Sequence, residues 1–157
     1  RIPSGPLREK LNNIRKFDAV FINGKNINRQ FLKKIKIINP DICIFSGEYV
    51  SSNYNKFRKN NYLTFSGIGN PTSFKNTLNK YRIKNKLNLT YPDHYNYSEL
   101  EIKKIKDIAK LKKLKILTTE KDFYRIPIKL RKNVNFLKIN LKIKKLKEFE
   151  KFIFKYL

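Results

Sequence analysis

The stretch Tyr62-Leu-Thr-Phe-Ser-Gly-Ile-Gly-Asn-Pro71 decides the fold. Its first four residues, Tyr62 to Phe65, form a compact apolar run of the kind that buries as a strand. Gly67-Ile-Gly69 then lets the backbone turn sharply. Asn70 stands where a helix N-cap belongs, with Pro71 at the first helical position, and both are favourable there. Phe74, Leu78 and Tyr81 follow at helical spacing and mark the buried face of that helix.

The same strand-to-helix step recurs downstream. Leu87 to Tyr91 reads as a strand ended by Pro92. Ser98 and Glu101 have capping-box spacing ahead of a helix whose stripe is Ile102, Ile105 and Ala109. Lys115 to Thr118 is the next strand and Val134 to Ile139 another, before an amphipathic helix through Leu146, Phe149, Ile153 and Tyr156. Upstream, Phe17 to Ile22 is a buried strand closed by Asn23-Gly24, and Ile42 to Phe45 a second, closed by Ser46-Gly47. The polar stretch Ser51 to Asn61 is the best candidate linker. Alternating strands and helices predict an α/β fold, a mostly parallel sheet with helices on both faces in three α/β/α layers. In such sheets ligands bind at the carboxyl ends of the strands, where Gly67, His94 and Thr119 fall.

Composition bounds the function classes. The chain has 157 residues, a formal charge of +25 and 40% hydrophobic residues, enough for a packed core. Alanine occurs only at Ala19 and Ala109 while lysine, asparagine and isoleucine are abundant throughout, the mark of a coding bias that raises lysine everywhere. The resulting field favours anionic headgroups, nucleotides or nucleic acid without conferring specificity. Cys43 is the single cysteine, so no intrachain disulfide and no thiolate metal cluster is expected, and Asp41-Ile-Cys-Ile-Phe45 suggests a buried strand position for it. No apolar run approaches the ~20 residues of a membrane span, and no signal-peptide pattern is present. A chain beginning at Arg1 reads as a piece of a longer protein, cytoplasmic and soluble or peripheral at most.

Four motifs carry chemistry, each beside a plainer alternative. Gly67-Ile-Gly69 with Asn70 could expose amides to an anion at a helix start, or simply make a tight connection with Asn70 as cap. It is neither a dinucleotide fingerprint nor a P-loop, and no G-x-x-x-x-G-K-[ST] occurs in the chain. His94, the only histidine, lies in Tyr91-Pro-Asp-His-Tyr95. It could act as a base near neutral pH with Asp93 as its orienting carboxylate, or Asp93 could only cap the turn. Arg8 and Glu9, after Gly5-Pro6, could grip phosphate oxygens and help place Mg²⁺, or form a surface ion pair. Glu120, Lys121 and Asp122 open a helix after a strand, where acids suit the positive end whether or not they meet substrate. No zinc spacing, nucleophile elbow or RNA-binding aromatic signature is present, and no metal site is assigned within the chain.

Taken in order, these motifs resemble the C-terminal part of the tetraacyldisaccharide 4′-kinase family, the lipid A kinases of Gram-negative bacteria. The matching segments are Gly5 to Glu9, Asp18 to Gly24, Phe65 to Phe74, Pro92 to Tyr97 and Thr118 to Asp122, covering most of the chain. The resemblance implies a two-lobe P-loop-type kinase of α/β/α lobes. Residues 1–55 would end the nucleotide-binding lobe with its connection, and residues 56–157 would form the C-terminal lobe. It implies transfer of the γ-phosphoryl of ATP, with Mg²⁺, to the 4′-hydroxyl of a tetraacyldisaccharide 1-phosphate in lipopolysaccharide synthesis. The implied place is the cytoplasmic face of the inner membrane, peripherally bound to its anionic surface. By the same resemblance His94 pairs with an aspartate of the other lobe and raises its ability to deprotonate the sugar hydroxyl. Arg8 and Glu9 face the nucleotide phosphates and metal. The P-loop, the magnesium ligands and that aspartate are not in this sequence, so the chain alone is expected to be inactive. The alternative is a non-enzymatic basic α/β module that binds nucleic acid or an anionic membrane. The kinase reading expects no specific nucleic-acid partner.

Overall fold

The computed structural model describes residues 10–24 and 27–156, and it divides the chain into two compact units. One is Ser51–Ile139; the other comprises the residues up to Val50 together with Asn140–Leu157. Arg8 and Glu9 lie outside the described residues.

The Ser51–Ile139 unit carries the stretch from Tyr62 to Pro71. Strand β3 (Asn61–Ser66) runs parallel to β4 (Lys84–Thr90) on one side and to β5 (Lys115–Thr119) on the other. Strand β6 (Val134–Leu137) pairs parallel with β5, giving the order β4-β3-β5-β6. Alternation along the strands sends side chains to opposite faces. Leu63, Phe65, Ile116 and Val134 meet Ile102, Ile105 and Ala109 of helix α3 (Glu99–Leu111) in one core. Tyr62, Leu117 and Leu137 meet Phe74 and Leu78 of helix α2 (Pro71–Lys80) in the other. The expected three-layer α/β/α arrangement follows from that period of two. Fully burying a Leu or Ile side chain is worth about 1.5–3 kcal/mol, so the two-faced sheet is the main source of stability here.

The helix starts form as their sequences dictate. Asn70 Oδ1 accepts from the Ser73 amide at 3.1 Å. Ser98 and Glu101 complete a reciprocal capping box, which holds the Glu101 carboxyl below its usual range, chiefly through the Ser98 hydroxyl and then that of Tyr95. Thr119 caps the short helix α4 (Glu120–Arg125) by accepting from the Asp122 amide.

The other unit is a three-stranded sheet in the order β1-β2-β7, with β1 (Ala19–Asn23) parallel to β2 (Cys43–Ser51). Helix α5 (Leu146–Phe154) sets Phe149 edge-on against Phe21 and Phe45. Helix α1 (Arg29–Ile38), capped by Asn28, buries Ile35; the sequence reading does not anticipate it.

Four expectations are corrected. Ser46-Gly47 does not close β2, which continues to Ser51. A Cβ at Gly47 would stand 2.8 Å from the Lys142 carbonyl oxygen and from the Phe21 ring, so this glycine marks a close backbone approach within a strand. Val134 to Ile139 is not one strand: β6 ends at Leu137 and β7 (Ile139–Ile143) belongs to the other sheet. Between them the Lys138 amide donates to Asn53 Oδ1 and its carbonyl accepts from Ser52, so its backbone is used by the 51–53 segment instead of a ladder. That segment is no loose linker, because Tyr54–Phe57 forms a 3₁₀ turn that buries Phe57. Cys43 is free and in a strand but only half-buried.

Candidate functional site

The carboxyl ends of β3, β4 and β5 bring three of the sequence motifs together. Each strand hands over to a turn at the same edge: β3 to Gly67, β4 to the Tyr91–Tyr97 loop, β5 to helix α4. The two glycines matter because that loop lies directly on them. A Cβ at Gly67 would meet Tyr95 Cβ at 2.9 Å and the Pro92 carbonyl oxygen at 3.0 Å. A Cβ at Gly69 would meet Asp93 Oδ2 at 2.9 Å. The glycines therefore serve close packing of the His94 loop. Asn70 is engaged as the α2 cap.

His94 is held from its backbone. Its amide donates to the Gly67 carbonyl at 3.2 Å and to Asp93 Oδ1 at 2.9 Å. It adopts φ 59°, a left-handed conformation uncommon for residues with a side chain. Such conformations persist where the surroundings over-determine them. The imidazole is 82% exposed. Asp93 does not orient the ring by a hydrogen bond: His94 Nε2 and Asp93 Oδ2 are 3.9 Å apart.

The ring partner is Arg125, whose Nη2 lies 3.2 Å from His94 Nδ1. Sequence reasoning does not single out Arg125; the available signal is its position three residues beyond Asp122 on one helix, close enough for the two side chains to meet. Asp122 itself is fully buried. Its Oδ1 accepts from the Gly67 amide and the Tyr97 hydroxyl, each at 3.1 Å, and its Oδ2 accepts from the Thr119 hydroxyl at 2.6 Å. Arg125 Nη1 lies 3.5 Å from Asp122 Oδ1 and donates to the Gly67 carbonyl at 2.9 Å. The Gly67 residue is gripped at both its amide and its carbonyl. Burial foremost, and then the Asp122 charge and the hydrogen bond to it, push the Tyr97 hydroxyl far above the ordinary tyrosine range. Glu120 and Lys121 stand on the first turn of α4, with Lys121 exposed.

An aromatic cluster backs the loop. Phe65, Tyr91 and Tyr95 ring Tyr97 with centroids 5.1 to 5.3 Å from it.

A cavity of about 1000 Å³ opens at the opposite, amino end of the same sheet, lined by Tyr62, Ile116 and Val134 among others. Lys56, Lys106, Lys110 and Lys115 also line it, four of sixteen residues. Basic residues make up 37 of 157 in the whole chain, so the cavity is not enriched in positive charge. Among the described residues each of the five α-helices carries lysine. Among the described residues no group of three or more His, Cys, Asp or Glu could hold a metal ion, and no helix is long and apolar enough to cross a membrane.

The structure defines a three-layer α/β/α domain with a parallel sheet, and the exposed imidazole and the buried carboxylate stand at the carboxyl ends of its strands, the edge where such folds bind ligands. Comparison with known proteins makes the assignment specific: over residues 1–157 the chain matches the Tetraacyldisaccharide-1-P 4′-kinase family, and it belongs to that family. It is 42% identical over 144 residues to the tetraacyldisaccharide 4′-kinase of Pelagibacter ubique, covering 90% of this chain and 46% of that protein. The corresponding kinase of Rickettsia typhi is 35% identical over 129 residues, 79% of this chain and 38% of the relative. That of Elusimicrobium minutum is 32% identical over 170 residues, 96% of this chain and 45% of the relative. The chain thus spans about half the length or less of these curated relatives. No solved structure gives a significant match.

Proposed function

We propose that this chain supplies the His94-bearing side of an ATP-dependent lipid kinase acting on the 4′-hydroxyl of tetraacyldisaccharide 1-phosphate. The observation that carries the reading is the convergence of Gly67, His94 and Asp122 at one edge of the parallel sheet, with the imidazole exposed, the His94 amide bonded to the Gly67 carbonyl and the Gly67 amide bonded to Asp122. Family membership supports the reaction class.

In this reading the hydroxyl oxygen forms a bond to the γ-phosphorus as the bond from that phosphorus to the bridging oxygen of ADP breaks. The hydroxyl proton passes to a carboxylate from the remainder of the enzyme, and His94 pairs with that carboxylate. Phosphoryl transfer needs mainly positioning and charge stabilisation, and a histidine fixed on a rigid loop suits both. Asp93 shapes the turn that presents the ring. Gly67, Gly69 and Asn70 set the floor of the site and the start of α2. Asp122 anchors that floor, with Glu120 and Lys121 flanking it on α4. Arg8 and Glu9 would face the nucleotide. Mg²⁺ is commonly held by one or two carboxylates together with substrate phosphates and water, and in this reading Glu9 would help place it. The chain's high positive charge supports peripheral attachment to an anionic membrane surface on the cytoplasmic side in a Gram-negative cell.

The test is His94→Ala in a polypeptide that carries the rest of the family's length. General acid–base assistance contributes about 10²–10⁴-fold, so kcat should fall by that range with little change in ATP affinity. Near-full kcat in the variant would refute the reading.

A further inference from the structure

We propose that Arg125 is a positioning residue that selects the tautomer of His94, fixing the proton of the neutral ring on Nε2 and turning that N–H toward the reaction. The inference rests on the proposed role of His94 and deepens it.

A guanidinium has only donors and does not deprotonate in proteins. With Arg125 Nη2 3.2 Å from Nδ1, that ring nitrogen must offer its lone pair. A proton on Nδ1 would set two donors against each other. The neutral ring therefore carries its hydrogen on Nε2, and Asp93 Oδ2, 3.9 Å away, does not capture it.

The guanidinium can impose this choice because it cannot wander. Nη1 is held by the Gly67 carbonyl at 2.9 Å and lies 3.5 Å from Asp122 Oδ1, and the side chain is only 21% exposed. Asp122 is fully enclosed and bound in turn to the Gly67 amide, Tyr97 and Thr119. A continuous set of contacts runs from a buried carboxylate, through one arginine, to an exposed imidazole. In metal sites the partner of the second ring nitrogen fixes tautomer and orientation in the same way.

The chemical consequence is directional. A ring with Nε2–H outward and Nδ1 engaged can donate to an oxygen, but it has no free lone pair with which to take a proton. His94 then acts as hydrogen-bond donor to a carboxylate, and proton acceptance falls to that carboxylate.

Two experiments test this. The chain has one histidine, so ¹⁵N spectra of its ring assign both nitrogens without ambiguity. At a pH where the ring is neutral, Nε2 should carry the proton in the parent chain. Arg125→Met should lower the Nε2–H to Nδ1–H ratio by at least about threefold, the low end expected for losing one charge-assisted hydrogen bond at an exposed ring. Arg125→Lys, which keeps a donor, should retain more of the ratio than Arg125→Met. A parent ring protonated on Nδ1, or a ratio unmoved in Arg125→Met, overturns the proposal. In the longer, active polypeptide, Arg125→Met should lower kcat about tenfold and have no further effect in the His94→Ala background. If it costs as much there as in the parent, Arg125 only supports the loop and the inference fails while the role of His94 stands. If His94→Ala alone keeps full kcat, it is the underlying reading that fails, and the ring spectra still decide the tautomer.

Discussion

Replacing Asp122 with alanine should be among the most destabilising single changes in the Ser51–Ile139 unit. The carboxylate is fully buried, and its removal strips the acceptor from the Gly67 amide and the Tyr97 hydroxyl, both 3.1 Å away. A buried donor left without a partner costs about 1–3 kcal/mol. The Thr119 hydroxyl loses its 2.6 Å partner too, but it can rotate. Arg125 keeps the Gly67 carbonyl and some contact with water, so its lost ion pair adds little. The two stripped donors together cost about 2–6 kcal/mol, a range that brackets the roughly 3–5 kcal/mol typical of breaking a buried charged pair. Against a total stability of about 5–15 kcal/mol that loss is severe. Asp122→Asn is the informative companion. Its amide oxygen can still accept from Gly67 and Tyr97 while its NH₂ donates to Thr119 Oγ1, so only charge assistance is lost, about 1–2 kcal/mol. Urea unfolding followed by far-UV circular dichroism and tyrosine emission measures both, since the chain has nine tyrosines and no tryptophan. Lys121→Ala, exposed on the same helix, should stay within about 0.5 kcal/mol. An alanine variant that loses less than about 1 kcal/mol, or an asparagine variant as damaged as the alanine one, would show that the buried carboxylate does not organise the site.

Gly67→Ala should destabilise by about 1–3 kcal/mol in the same assay, because its Cβ would press on the Pro92 carbonyl and Tyr95 Cβ; Gly69→Ala should be milder, since only the Asp93 carboxylate must turn aside, and equal costs would contradict this. Tyr97→Phe tests the raised hydroxyl of Tyr97, whose proton the folded state holds more tightly than the unfolded chain does. That contribution is complete below the unfolded tyrosine value of about 10 and is lost as pH rises beyond it. The stability gap between parent and Tyr97→Phe should therefore narrow above about pH 10, and a gap constant to pH 11 would argue against the hydroxyl's environment described here.

Much of the site's frame was legible in the order of residues. The strand at Tyr62, the Asn70-Pro71 helix start, the Ser98–Glu101 capping box and the stripe Ile102, Ile105, Ala109 are local: each depends on a period or a cap within a few residues, and each is present. From those local signals the placement of Gly67, His94 and Thr119 at one sheet edge followed, because parallel strands all end on the same side. What the sequence could not decide were pairings across distance. Gly47 looks like a turn residue, and only the approach of the Lys142 backbone makes it a strand residue. Val134 to Ile139 reads as one strand in sequence, divided because the Lys138 backbone bonds to residues 52 and 53. Asp93 is the obvious neighbour for His94, yet the ring instead meets Arg125, 31 residues away. That choice belongs to the tertiary structure, since a side chain's partner is set by where the strands deliver their loops, and a buried carboxylate draws its donors from whatever the fold brings within hydrogen-bond reach.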